Sequence, residues 1–123
     1  MSVTHPTAVR TIMADAVVDS IDVGGAGSLV FQTSGDVEVA TLTFSATAFG
    51  AASGATATAA AITSDSSATG GTVAKFIINN GSAAQAGFAG AVSTAGSDIN
   101  LSSLAVGSGD TVAMSSLTYT AAP

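Results

Sequence analysis

Apolar residues recur at one spacing up to Ile21 and at another after Gly27, and that change limits what the chain can fold into. Val9, Ile12, Met13, Ala16, Val17 and Ile21 share one face of an α-helix. From "SLVFQT" (28–33) the alternation is every second residue, the period of a half-buried strand. Gly24–Gly25 stands between the two regimes, and glycine tolerates the left-handed conformation that ends a helix. The spacing predicts one amphipathic helix over about residues 7–22, with Thr7 as N-cap and "MSVTHP" (1–6) as an N-terminal arm. Arg10, Asp15, Asp19 and Asp22 fall largely off the apolar face, and the last two oppose the dipole at the C-terminal end.

After Gly27, Leu29 and Phe31 oppose Val30 and Gln32, and in "VEVATLTF" the set Val37, Val39, Thr41, Thr43 opposes Glu38, Ala40, Leu42, Phe44. "TVAKFII" sets Ala74, Phe76 and Ile78 against Val73, Lys75 and Ile77. Asn80–Gly81 is a strong two-residue hairpin signal, since both residues accept positive φ. It leads into "SAAQAGFAGAVS", with Ala86, Phe88, Gly90 and Val92 on one face; "DINLSSL" and "DTVAMSSLTYT" supply the last strands.

The stretch "AFGAASGATATAAAITSDSS" (48–67) has one ionisable side chain, Asp65, and little larger than threonine. Alanine favours a helix there, but Thr56 and Thr58 are β-branched and Gly54 and Ser64–Ser67 bracket the run, so it reads as strand. A linker would need two self-sufficient halves, and neither has the large apolar residues. About seven strands then predict an all-β single domain over 7–123, an antiparallel β-sandwich or jelly roll that includes the N-terminal helix. Phe44, Phe76, Ile78, Phe88 and Leu117 are expected to point inward.

A chain of 123 residues fits one domain, and its alanine-rich apolar fraction gives a core thin per residue. Association, as a homo-oligomer, is the expected supplement. Only Arg10 and Lys75 are positive against a net charge of −6, so nucleic acid and anionic membranes are not expected partners. The uncharged run from Val39 to Ser64 is too rich in Thr, Ser and Gly to read as a membrane span. The opening residues do not read as a secretory leader, since Asp15 and Asp19 fall where its apolar centre would run.

There is no cysteine, and the single histidine, His5, sits in the arm beside Pro6. Neither a side-chain zinc site nor a held Ser–His–Asp arrangement is expected from that inventory. Asp36, Asp65, Asp98 and Asp110 each lie near glycine or serine, where aspartate caps turns. The spaced aspartates of a calcium loop are missing, as are phosphate-binding glycine motifs. The expectation is a protein that is not an enzyme and needs no cofactor or metal.

The segments "TAVRTIMADAVVDSID", "TLTFSATAFGAASG" and "GSDINLSSL" resemble small proteins encoded among tailed-bacteriophage virion genes, with the likeness running over about residues 7–120. Lys75–Phe76 departs from the larger aromatic pair expected of that family. The resemblance is to capsid decoration (cement) proteins, and it implies a virion location on the capsid exterior with the major capsid protein as partner. A tail, baseplate or carbohydrate-binding host-surface role is the alternative. His5, Val9, Ile12, Met13, Ala16 and Val17 are the candidate contacts between subunits. The competing reading of that helix face is a cover over one end of the domain's own core.

Overall fold

A computed structural model describes residues 3–96, 99–101, 103–114 and 116–121. Met1 and Ser2 of the arm, and Asp98 with its expected turn, lie outside the described residues. The helix α1 spans Thr7–Asp19 and continues as a 3₁₀ turn over Ser20–Asp22, so the expected bounds hold. Its N-cap is Pro6 rather than Thr7, and no side chain caps it. The Pro6 carbonyl instead accepts from the Val9 and Arg10 N–H groups, both at 3.0 Å. Proline's fixed φ of −64° holds that carbonyl where the first helical bonds begin. Beyond the 3₁₀ turn, Gly24 (φ 81°) and Gly25 (φ 123°) turn the chain away, as the sequence predicts.

Among the described residues ten short strands follow: β1 (Ser28–Gln32), β2 (Glu38–Phe44), β3 (Thr56–Thr58), β4 (Ile62–Thr63), β5 (Gly71–Thr72), β6 (Lys75–Asn79), β7 (Gly90–Ser93), β8 (Ile99–Asn100), β9 (Ala105–Val106) and β10 (Thr118–Thr120). Six form one sheet in the order β4-β2-β1-β6-β7-β8, while β10 pairs with β3 and β5 with β9. The fold is mostly β with one N-terminal helix. Its main sheet is mixed, which corrects the expectation of antiparallel pairing throughout. β7 and β8 run parallel, with Val92 facing Ile99 and Ser93 facing Asn100.

β1 sits at the centre, and its register explains the core. Leu29 faces Leu42 on one side and Ile78 on the other; Phe31 faces Ala40 and Phe76. Residues paired in this way share a sheet face, and all six side chains are buried. At the end of the β1–β2 ladder, Gln32 faces Glu38, so Val39 is the extra residue of a β-bulge. The bulge lets Val39 and Ala40 bury together, although strict alternation assigns them to opposite faces. Phe44, Phe76, Ile78 and Leu117 are buried as expected; Phe88 is half-buried.

The 48–67 stretch does form strand, in two pieces that belong to different sheets. β3 pairs with β10, and β4 edges the main sheet beside β2. Between them, the Ala59 N–H donates to Leu117 O and the Ala60 N–H to Ala48 O, which bends the chain from one sheet to the other. A tight hairpin precedes β3. Ser53 and Thr56 exchange both backbone bonds across Gly54 (φ 58°) and Ala55 (φ 69°). Two left-handed residues make the primed turn that suits strand twist. The sequence conceals it, because alanine is a poor occupant of such a position.

Asn80–Gly81 is not the two-residue turn its sequence suggests. The loop runs from Asn80 to Ala84, with the Asn80 side chain accepting from the Ser82 and Ala84 N–H groups. Ala83 takes the positive φ of 61°. Gly81 is required for a different reason: a Cβ there would lie 2.4 Å from the Gly25 nitrogen. The glycines that end the helix and the glycine of this loop pack backbone to backbone.

Candidate functional site

Packing rotates α1 about half a turn from the orientation its apolar spacing suggests. Ala14, Val18 and the following Ile21 are buried, while Ala8, Val9, Ile12, Ala16 and Asp19 are exposed. Ile12 keeps 68% of its surface and Val9 39%. Met13 and Val17 lie half-buried at the flanks. His5 is exposed in the arm. Helical geometry thus gathers Val9, Ile12, Met13 and Ala16 on one outward stripe, leaves Val17 at its margin, and leaves His5 just before its first turn. The helix does cover the domain, but with the face opposite to the one that the core-cover reading named.

The inward face sets polar side chains beside the buried Ala14 and Val18, and these polar groups seat on backbone. Thr11 Oγ1 accepts from the Ala55 N–H at 3.0 Å, and Asp15 Oδ1 from the Ala52 N–H at 2.7 Å. Asp22 Oδ1 accepts from the Ala48 N–H at 2.9 Å, and Ser20 Oγ from the Gly87 N–H at 3.0 Å. Arg10 Nη2 donates to Ala121 O at 2.9 Å; its Nε is buried without a partner among the described residues. The segment from Ala48 to Ala55 makes a close hairpin and has few ladder bonds for its own N–H groups. Its alanines offer a facing helix little apolar surface, whereas each unpaired N–H would cost about 1–3 kcal/mol. Side-chain oxygens at close range are the better complement. None of these roles was assigned from the sequence. The signal was there in the spacing of Thr11, Ala14, Asp15, Val18 and Asp22, a helical face of mixed polarity.

Most of the other described carboxylates also serve the backbone or a hydroxyl. Asp65 accepts from the Thr41 and Ser67 N–H groups, and Asp110 from Gly107 N–H. Glu38 accepts from the Thr41 and Thr69 hydroxyls. Asp36 pairs with Lys75. The Asp19 carboxylate, at the edge of the outward stripe, accepts no hydrogen bond among the described residues. No group of three or more His, Asp or Glu side chains converges among the described residues. No described helix is long and apolar enough to cross a membrane.

Two depressions of the described surface lie beside the sheet and the core aromatics. An open groove of ≈ 690 Å³ runs past Gln32, Asp36, Lys75 and Gln85. A smaller cleft of ≈ 270 Å³ is walled by Phe88 and Tyr119, whose rings stack at 4.7 Å. Phe88 also meets Phe49 and Phe76 edge-on, so the cleft grows directly out of the core. No protein family, curated protein or solved structure matches the chain.

Proposed function

We propose that this chain is a structural virion protein that decorates the outside of a tailed-phage capsid and stabilises it by bridging major capsid protein subunits. The lineage comes from the resemblance of "TLTFSATAFGAASG" and "GSDINLSSL" to virion proteins. The observation that carries the reading is the outward stripe of α1, where Val9 and Ile12 stay exposed while the opposite face is anchored inward through its polar groups. Leaving such side chains in water is unfavourable unless another surface covers them. The protein acts by contact, without catalysis, cofactor or metal. Its finer architecture is a β-sandwich or jelly roll, a reading supported by the single core shared between the main sheet and the β3–β10 pair. A ligand that binds only the assembled shell favours the assembled state, and repeated weak contacts add up across many copies.

Cryo-electron microscopy of intact particles tests the location, with density for this chain expected on the outer capsid surface. Particles lacking the protein should release DNA at lower temperature than complete ones; equal heat resistance overturns the cementing role. The stacked Phe88–Tyr119 wall favours a second reading, a carbohydrate-binding tail or host-surface module, because sugar rings pack on aromatic faces. Density at the tail instead of the shell, with glycan binding lost in Tyr119→Ala, would establish it.

A further inference from the structure

We infer that the outward face of α1 is a self-complementary docking surface, and that its partner is the same helix of a second copy, packed antiparallel across a two-fold axis. This deepens the proposed function by naming what the helix face touches.

The first observation is where the exposed apolar residues lie. Among the described residues five large apolar side chains are exposed, and four of them, Val3, Val9, Ile12 and Val23, fall in or beside α1. Val37 is the other. The second is their arrangement. Val9, Ile12, Met13 and Ala16 are symmetric about a point between Ile12 and Met13. Turning the helix end for end about that point brings Val9 onto Ala16 and Ile12 onto Met13. An isologous interface requires this kind of self-match.

The third observation is electrostatic and independent of the apolar pattern. α1 has no side-chain cap, no acidic residue in its first turn and no basic residue in its last. Its positive end is therefore uncompensated, while its negative end carries Asp19, whose carboxylate accepts no hydrogen bond among the described residues. The same end-for-end rotation that matches the apolar stripe carries Asp19 onto Pro6, beside the open N–H groups of the partner's first turn. Both defects are answered at once, and twice per pair. A parallel pair would leave both first turns open and set Asp19 against Asp19.

Size fixes the strength. A 13-residue helix is about 20 Å long, and one stripe of it covers well under the roughly 800 Å² per partner of a stable interface. The pair is therefore weak in free solution and becomes effective where copies are held in an array. Two bound copies joined in this way would tie neighbouring capsid sites together.

The test uses the full chain without particles, so it can fail independently of the virion reading. Sedimentation velocity from about 10 μM to about 1 mM should show the average mass rising toward the dimer. Ile12→Asp should hold the chain at monomer mass, with unchanged circular dichroism and melting. The absence of native cysteine makes single-cysteine cross-linking clean. A mixture of Val9→Cys and Ala16→Cys chains should oxidise to a covalent dimer faster than either variant alone, and faster than Val37→Cys. Monomer mass throughout the concentration range overturns the inference. So does Val9→Cys cross-linking to itself faster than to Ala16→Cys, which would mean parallel packing.

Discussion

The main sheet and the alanine-rich half around β3 are held together by different means. In the sheet, Leu29, Phe31, Leu42, Phe76 and Ile78 meet side by side on one dry face, and the stabilising term is apolar area. Around β3 the buried side chains include Ala48, Ala55 and Ala57, each removing only a methyl group from water. There the helix contributes hydrogen bonds to backbone, from Thr11, Asp15, Asp22 and Arg10. Small residues allow close approach of main chains, and close approach exposes N–H groups that must then be satisfied from outside the sheet. A chain built of small parts therefore needs a polar clasp where one built of large parts needs only packing.

The comparison predicts an order of sensitivity. Phe31→Ala should cost about 3–5 kcal/mol in urea unfolding, because it opens a cavity where β1, β2 and β6 meet. Ala55→Val should cost about 2–3 kcal/mol: the position is fully buried and its φ of 69° is unsuited to a β-branched residue. Asp15→Ala should cost about 1–2 kcal/mol and act locally, leaving the Ala52 N–H unpaired in a partly buried site. Hydrogen exchange should quicken over residues 48–56 while β1 and β6 stay protected. If Asp15→Ala exposes the sheet as much as Phe31→Ala does, the two halves are one cooperative unit and the distinction fails. Smallest is Ile12→Asp, which should stay within about 0.5 kcal/mol at a site 68% exposed. A loss of several kcal/mol would mean that the outward stripe supports the fold.

Much of the fold was legible in the sequence, because periodicity and glycine placement are local signals. The bounds of the helix and its 3₁₀ turn, the strands β1, β2 and β6, and the burial of Phe44, Phe76 and Ile78 all follow from spacing. The orientation of α1 was not legible. Apolar spacing says which residues share a face, but the surface waiting for the helix decides which face turns in. That surface is backbone from residues far along the chain, so Asp15 and Thr11 found partners no local pattern reveals. The hairpin at Ser53–Thr56 was hidden for a related reason: the clasp holds Ala55 in a conformation its own preference disfavours. Asn80–Gly81 misled in the opposite direction, since Gly81 is there for its close approach to Gly25 rather than for its own turn.

The central place of β1 has a kinetic consequence. Val30 lies opposite Thr41 on one side and Ile77 on the other, so one neighbour is reached through a short turn and the other only after the whole intervening chain has been looped out. The β1–β2 hairpin should therefore form early, with Leu29, Phe31 and Leu42 still open to water until β6 arrives. Refolding rates of point variants measure this directly. A change at Leu42 that slows refolding no more than one at Ala57 would show that the hairpin is not the nucleus. During that interval the unfinished sheet presents a bare apolar strand edge, and newly made copies at high concentration are exposed to misassembly before β6 closes it.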